Sequence, residues 1–382
     1  MRIGMLCHNY PPHPGGLEVM VRNLAAGLAR RHDVTLVTSA FDGAEGKTVE
    51  DGMTVFRVPA FHATERLGIP YPIPTGEVLR AALRALISVD LLHAHGALYV
   101  TSMHAARLAK RRSVPFVVTE HVGFVEYGNP LVNAVESIAW STIGDRIMSQ
   151  SNAISTYNSR VQEWLGKRYP SRKISFIGNG VDTATFRPRS DAERHALRQE
   201  FGLPDDRPLV LFAGRDSEKK NLGSVLQFTR DDYHLVVCGA ARGLTGQNLT
   251  DLGVVPYSRM SDLFGCVDVM VHASTGEGFP LAMQEALATG IPLAVLWDLG
   301  YSGSLDRSVV AACDSIAELG TVVRSLALDA TRRSELARTA REWTERKWSW
   351  DATVKGYETL YSSVTHTRQA TGVQRRVIAW ES

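Results

Sequence analysis

An apolar run, Val267-Asp268-Val269-Met270-Val271, leads through a glycine-containing turn into a helix-periodic segment. This succession constrains the fold of the 382-residue chain more than any other feature. The run has the length and composition of a buried strand. The turn, Thr275-Gly276-Glu277-Gly278-Phe279-Pro280, precedes Leu281, Ala282, Glu285, Ala286 and Leu287 on neighbouring helical turns. Pro280 is expected at the first helical position, where its missing N–H costs nothing. The N–H groups of Gly278, Phe279 and Leu281 would then point beyond the strand's carboxyl end and form an anion site. Glu277 in the turn and Glu285 in the helix place one carboxylate on each side of that site. A strand–turn–helix unit of this kind builds parallel, doubly wound sheets.

The same alternation occupies the rest of the chain. Strands are expected at Ile3–Cys7, Val34–Thr38, Thr54–Val58, Leu91–His93, Phe116–Thr119, Ala153–Tyr157 and Ile174–Ile177. Helices fit between them at Leu17–Leu28, Glu77–Ile87, Tyr99–Arg111, Leu131–Thr142 and Ser159–Lys167. A polar stretch from about Asp182 to Arg207 breaks the pattern and reads as an interdomain connection. A second series follows, with strands at Leu209–Ala213, Leu235–Cys238, Asp268–Val271, Leu293–Val295 and Val309–Ala312 and a helix at Met260–Gly265. The fold class is therefore α/β: two Rossmann-like, doubly wound domains, residues 1–187 and 188–347, facing each other across a ligand cleft.

Composition excludes several classes. With 42 basic and 40 acidic residues the net charge is +2, which does not point to nucleic acid. Cys7, Cys238, Cys266 and Cys313 are scattered without metal-ligand spacing, so buried free thiols in a reducing compartment are expected. The start lacks a secretion signal and no apolar stretch is long enough to span a bilayer. A soluble, cytoplasmic protein is expected.

Three further motifs carry chemistry. Pro11-Pro12-His13-Pro14-Gly15-Gly16 follows the first strand and opens the first helix, where glycine lets backbone amides approach a phosphate or sugar. His13 there is read as solvent-exposed. Val117-Val118-Thr119-Glu120-His121 puts His121 just past a strand's carboxyl end; a neutral imidazole there can hydrogen-bond a sugar hydroxyl. Glu120 should point away by strand alternation. Leu211-Phe212-Ala213-Gly214-Arg215 delivers Arg215 to the cleft, with Lys220 five residues later and Lys219 as its competitor. Two fixed cations there could stabilise a departing diphosphate without a metal. His93 and His95 end another strand without a carboxylate or cysteine partner and read as cleft-lining or supporting residues, not metal ligands. Arg107–Arg112 reads as a solvated basic helix end, in preference to a membrane contact.

The Glu277–Glu285 segment resembles the E-x7-E signature of the retaining, nucleotide-sugar-dependent glycosyltransferases of family 4, which have the two-domain GT-B fold. The resemblance extends over residues 1–365, with the Gly15-Gly16, His121, Arg215/Lys220 and Glu277/Glu285 motifs in the family's order. It implies transfer of a hexose-type sugar from a nucleoside-diphosphate sugar to a hydroxyl acceptor, with retention and without cofactor or metal. It implies that Glu285 holds the ribose and that Glu277 and His121 meet the transferred sugar. Gly16 and the segment Gly278, Phe279, Pro280, Leu281 would lie along the diphosphate. Arg215 and Lys220 would take the leaving-group charge, and main-chain groups around Val255 would hold the base. It also implies a helix over 348–365 crossing back to the first domain, ahead of a polar tail, 366–382. The acceptor, whether saccharide, lipid-linked or small molecule, is not legible. Some relatives sit on membranes, so peripheral contact with the inner membrane face is one expectation for partners and location. The rival activity is a GT-B-fold nucleotide-sugar epimerase.

Overall fold

The computed structural model describes residues 1–13, 15–61, 72–124, 130–239, 243–276 and 279–370. Among the described residues the first domain has ten strands: β1 (Arg2–Leu6), β2 (Asp33–Ser39), β3 (Gly46–Glu50), β4 (Met53–Val58), β5 (Ala60–Phe61), β6 (Ile73–Pro74), β7 (Leu91–His95), β8 (Phe116–Thr119), β9 (Ala153–Thr156) and β10 (Ile174–Phe176). Eight form one sheet in the order β10-β9-β8-β7-β1-β2-β4-β3, while β5 and β6 form a separate ribbon. All pairings in the large sheet are parallel except β3 with β4. Its helices are α1 (Gly16–Ala29), α2 (Gly76–Ala85), α3 (Val100–Arg112), α4 (Pro130–Ala139), α5 (Asp145–Gln150) and α6 (Ser159–Arg168).

The second domain has β11 (Leu209–Ala213), β12 (His234–Cys238), β13 (Leu249–Asp251), β14 (Val269–His272), β15 (Leu293–Leu296) and β16 (Ala311–Cys313), in the order β13-β12-β11-β14-β15-β16. Helices α7 (Asp191–Phe201), α8 (Leu222–Val225), α9 (Tyr257–Cys266), α10 (Leu281–Ala288), α11 (Ile316–Leu328), α12 (Ala330–Lys347) and α13 (Trp350–Ala370) complete the chain. Central strands such as β11 and β14 are buried on both faces, which explains their unbroken apolar sequences.

The two reversals of strand order, between β1 and β7 and between β11 and β14, are the topological switch points where open sheets bind ligands. The two domains share one continuous apolar core. It includes Leu24 of α1, Phe264 of α9, Met283 of α10 and Val354 and Tyr357 of α13. α13 lies against the first domain, where its Tyr361 and Tyr357 hydroxyls meet His93 Nδ1 at 2.7 Å and Thr119 Oγ1 at 3.1 Å. The chain passes between the domains twice, and the two passages touch: Val181 N donates to Trp348 O at 3.0 Å. A Cβ on Gly180 would sit 2.6 Å from the Trp350 backbone, so only glycine permits that crossing.

Several expectations need correction. The polar stretch 182–207 contains α7, started by a Ser190–Glu193 capping box and anchored by Arg194 and Arg198 to Asp268. Its polarity reflects a half-exposed helix held by ion pairs, not a bare connector. The helix expected over 131–142 runs on through a π turn (Trp140–Gly144) into α5. β3 and β13 went unread because both are half-exposed edge strands with little apolar content. The last strand begins at Ala311, because 307–309 form a 3₁₀ turn capped by Asp306. Pro280 stands one residue before α10 with extended ψ, not at its first helical position. The tail expected from 366 is helical to Ala370; residues 371–382 lie outside the described residues.

Candidate active site

β1 and α10 supply the two halves of the site. β1 ends at Leu6, and the loop beyond it opens α1 at Gly16. In the second domain β14 ends at His272, and α10 begins at Leu281. The two helix starts meet: a Cβ on Gly16 would lie 3.5 Å from Leu281 Cβ. Neither N-cap residue supplies a side-chain cap. α1 carries buried Glu18 in its first turn, whereas α10 carries no acidic residue there, so the α10 start is the positive helix end where the domains touch. Among the residues singled out from sequence, Glu277 and Gly278 lie outside the described residues. Phe279 is buried against Tyr301 and Trp348, with ring centroids 5.8 and 5.4 Å away, and so packs the floor of the turn.

Glu285, one turn into α10, is 3% exposed and accepts a 2.6 Å hydrogen bond from Tyr257 Oη at the start of α9. Burial pushes its carboxyl up to about 7, against the opposing pull of that hydroxyl. Tyr257 was not singled out from sequence; a tyrosine following Pro256 at a helix start has no signal of its own. Val255 is half-buried against the shared core two residues before it.

The cation loop follows β11. Arg215 is exposed, whereas Lys219 and Lys220 are half-buried in a 3₁₀ turn, Glu218–Lys220. Lys220 folds back along Gly214, where a Cβ would come 3.2 Å from its Cδ. It also lies near His272, whose imidazole is held neutral chiefly by burial and further by the Lys220 charge. The loop is joined to the end of β14: Thr275 N donates to Lys219 O at 3.0 Å and Asn221 Nδ2 to Ala273 O at 2.9 Å. The strand ends at the β11/β14 switch point therefore bring Lys220 beside the segment leading to Glu277. Lys220 precedes Asn221, whose left-handed backbone leads into α8.

On the first domain His121 is 2% exposed, and burial pushes its imidazole down to about 3, leaving it neutral. Both ring nitrogens are engaged: Nδ1 with Tyr157 Oη at 3.1 Å and Nε2 with His95 Nδ1 at 3.2 Å. A sugar hydroxyl would have to exchange with one of these partners. His93 bonds Thr119 Oγ1 and Tyr361 Oη, so it supports the strand end and does not face a ligand. Glu120 is turned into the backbone, accepting from the amides of Ala97, His121 and Gly123 at 2.9, 3.2 and 3.2 Å. Buried there, it clamps the His121 loop. His13 is not solvated: it is half-buried and bonds Glu18 Oε1 at 2.8 Å, which braces the loop before α1. The four cysteines are free and buried, and no group of metal-ligating side chains occurs among the described residues.

Away from the cleft, α3 and α5 enclose a groove of about 620 Å³ lined by Arg107, Lys110, Arg111 and Arg146 over Met103 and Ile147. Next to it, α4 buries no residue and exposes Leu131, Val135 and Ile138 at 77%, 65% and 64%. No described helix is long and apolar enough to cross a membrane.

Residues 14–185 match the family described as Glycosyltransferase Family 4, and residues 193–343 match Glycosyl transferases group 1. The chain is 31% identical to the D-inositol 3-phosphate glycosyltransferase of Xylanimonas cellulosilytica, over 93% of each protein. It is 26% identical to the GDP-mannose-dependent alpha-mannosyltransferase of Mycolicibacterium smegmatis, over 82% of this chain and 83% of that one. Among solved structures it is similar to sucrose-phosphate synthase from Thermosynechococcus elongatus, with a TM-score of 0.80, 16% identity, and 96% and 99% of the chains covered. It is also similar to Anabaena HepE in complex with UDP-glucose, with a TM-score of 0.71, 16% identity, and 95% and 100% covered.

Proposed function

Because the chain belongs to glycosyltransferase family 4 and has the GT-B fold, we propose that it moves a hexose-type sugar from a nucleoside-diphosphate sugar to a hydroxyl acceptor, with retention. The observation that carries this reading is the meeting of the α1 and α10 starts at the switch points of both sheets, with Lys220 held near the end of β14 at His272. The α10 N-terminus and a half-buried ammonium suit a diphosphate, whose charge grows as the glycosidic bond breaks. Arg215 adds a second cation from the rim. Buried Glu285 accepts the ribose hydroxyls with Tyr257 beside it, and main-chain groups near Val255 hold the base. Glu277, with Gly278 to Leu281, orients the sugar and phosphate. His121, held between His95 and Tyr157, meets the sugar on the first-domain side by giving up one of those bonds.

Glu120 is committed to backbone amides, so among these residues no carboxylate of the first domain is placed as a nucleophile. That favours front-side attack, with the departing phosphate taking the acceptor's proton and fixed cations in place of a metal. The test uses UDP-glucose and GDP-mannose as donors and D-inositol 3-phosphate as the first acceptor, with and without chelator. Retention is read from the anomeric coupling constant of the product. Strict need for added magnesium or manganese, or an inverted product, would refute the mechanism. A rearranged sugar from donor alone would point to an epimerase.

The acceptor side also suits a peripheral membrane contact. The apolar stripe Leu131, Val135 and Ile138 runs along one helix into the cationic α3–α5 groove, which pairs an acyl-facing surface with phosphate-binding groups. Co-sedimentation with vesicles containing anionic phospholipid, but not with zwitterionic ones, is the expected result. Equal recovery in both supernatants would restore the solvated reading of this helix end.

A further inference from the structure

Asp298 follows β15 in the second domain, and its side chain is only 12% exposed. Oδ1 accepts from Gly300 N at 2.7 Å. Oδ2 accepts from Gly276 N at 3.2 Å and also meets Nη1 of Arg160, on α6 of the first domain, at 3.3 Å. One carboxylate thus joins a first-domain cation to two second-domain backbone amides. Gly276 turns the chain beyond β14 with φ at +66°, and the amide just before it, Thr275 N, is bonded to Lys219 O. The bonds run without a gap from α6, through Asp298, to the turn after β14 and the neighbouring lysine turn.

The surroundings are shaped for close approach of the domains at this point. A side chain on Gly300 would strike Asn158, which caps α6, and one on Gly303 would strike Ser159. Ser304 Oγ donates to Tyr157 O at 3.2 Å across the same contact. Tyr157 in turn holds His121. A half-exposed ion pair alone stabilises little. Its consequence here lies in the other bonds of Asp298, because a carboxylate drawn toward Arg160 keeps its oxygens aimed at Gly276 and Gly300.

We propose that Asp298 is a positioning residue that couples the seating of α6 against the second domain to the placement of Thr275–Gly276 and, through the Lys219 carbonyl, of Lys220. The proposal rests on the reading of Lys220 as the group that meets the donor's leaving charge. When the domains part, Arg160 leaves the carboxylate and the β14 turn loosens. When they close on a donor, the turn and the lysine are fixed together. No group is transferred at Asp298; it acts only through the amides that it holds.

The test compares Arg160→Ala, Asp298→Asn, Asp298→Ala and the Arg160→Ala/Asp298→Ala double variant with the parent protein. Hydrogen exchange of the peptide spanning Thr275 and Gly276 is measured without ligand, and turnover with whichever of UDP-glucose or GDP-mannose is active. Asp298→Ala should speed that exchange and lower kcat by about tenfold to a hundredfold, the range for hydrogen bonds to a charged group. Donor KM should stay within about twofold, since uniform donor binding is untouched. Arg160→Ala should cost about twofold to fivefold in kcat, and the double variant should match Asp298→Ala. Asp298→Asn, which keeps one acceptor oxygen, should fall between and covers the case in which the alanine variant folds poorly. Unchanged exchange at Thr275–Gly276, multiplying effects of the two substitutions, or a lower melting temperature with parental kcat would each overturn the coupling. Lys220→Ala separates the two readings. Parental turnover in that variant would remove Lys220 from the donor site, while the exchange data still decide the role of Asp298.

Discussion

Replacing Glu285 by Gln should separate the carboxylate's binding role from its cost to folding. Burial raises its ionisation from 4.5 to about 7, an interval worth about 3 kcal/mol. The native state therefore holds this proton more tightly than the unfolded chain. The associated stability is fully present below about pH 4.5 and is lost as pH rises through 7. Glutamine keeps an acceptor for Tyr257 and does not titrate. Urea unfolding of both proteins from pH 4.5 to 8 should show the parent losing about 3 kcal/mol relative to the variant across that range. Other titrating groups cancel in the difference. Binding should move the other way: ribose hydroxyls donate best to the ionised carboxylate, so nucleoside-diphosphate affinity of the parent should fall as pH drops below 7. The variant should bind more weakly at pH 8, by about 1.5–3 kcal/mol, and show little pH dependence. Calorimetric titration with UDP and GDP checks this half. Stability curves that stay parallel would refute the buried, raised carboxylate, and unchanged affinity at pH 8 would remove Glu285 from the donor site.

Lys220→Ala and Arg215→Ala should each lower kcat more than they raise KM, by up to ~2.7–4 kcal/mol in barrier, with the half-buried Lys220 the larger loss; steady-state kinetics checks the order. If Gly278 has the donor-binding role proposed for it, Gly278→Ala should leave the melting temperature almost unchanged and abolish most transfer. Turnover and melting measured on one preparation decide between that and a purely structural turn. Gly180→Ala should do the reverse: a Cβ placed 2.6 Å from the Trp350 backbone forces the two passages apart, costing about 1–3 kcal/mol in stability by denaturant titration.

What the sequence revealed depended on whether the physical cause was local. The strands β1, β8, β11 and β14 are continuous apolar runs because both faces are covered within their own domain, and periodicity alone exposes them. Gly16, Arg215, Lys220 and the Glu277–Glu285 segment stand out in the sequence because each follows an apolar strand run where a turn must begin, which leaves glycines, charges and a proline in fixed order. Even α7 had its signal, Ser190 followed by Glu193, but the surrounding charge hid it until Asp268 appeared as the partner of Arg194 and Arg198.

The residues that went unread work across distance. Tyr257 matters because α9 starts beside Glu285, and Asp298 matters because α6 of the other domain brings Arg160 to it. Tyr157 matters because a neighbouring strand carries it to Nδ1 of His121, while His95, legible in the sequence as cleft-lining or supporting, meets Nε2. No spacing rule links residue 160 to 298 or 257 to 285: the first pair is set by how the two domains are placed against each other, the second by how α9 and α10 pack within the second domain. Within each domain the motif residues are brought close by the topology of one sheet, whereas their partners are fixed only when separate elements pack, and Asp298 with Arg160 only when the domains meet. The same division explains why Glu285 is legible as a carboxylate while the upward shift of its pKa is not: the shift comes chiefly from burial, which the packing of surrounding elements sets and α10 alone does not encode.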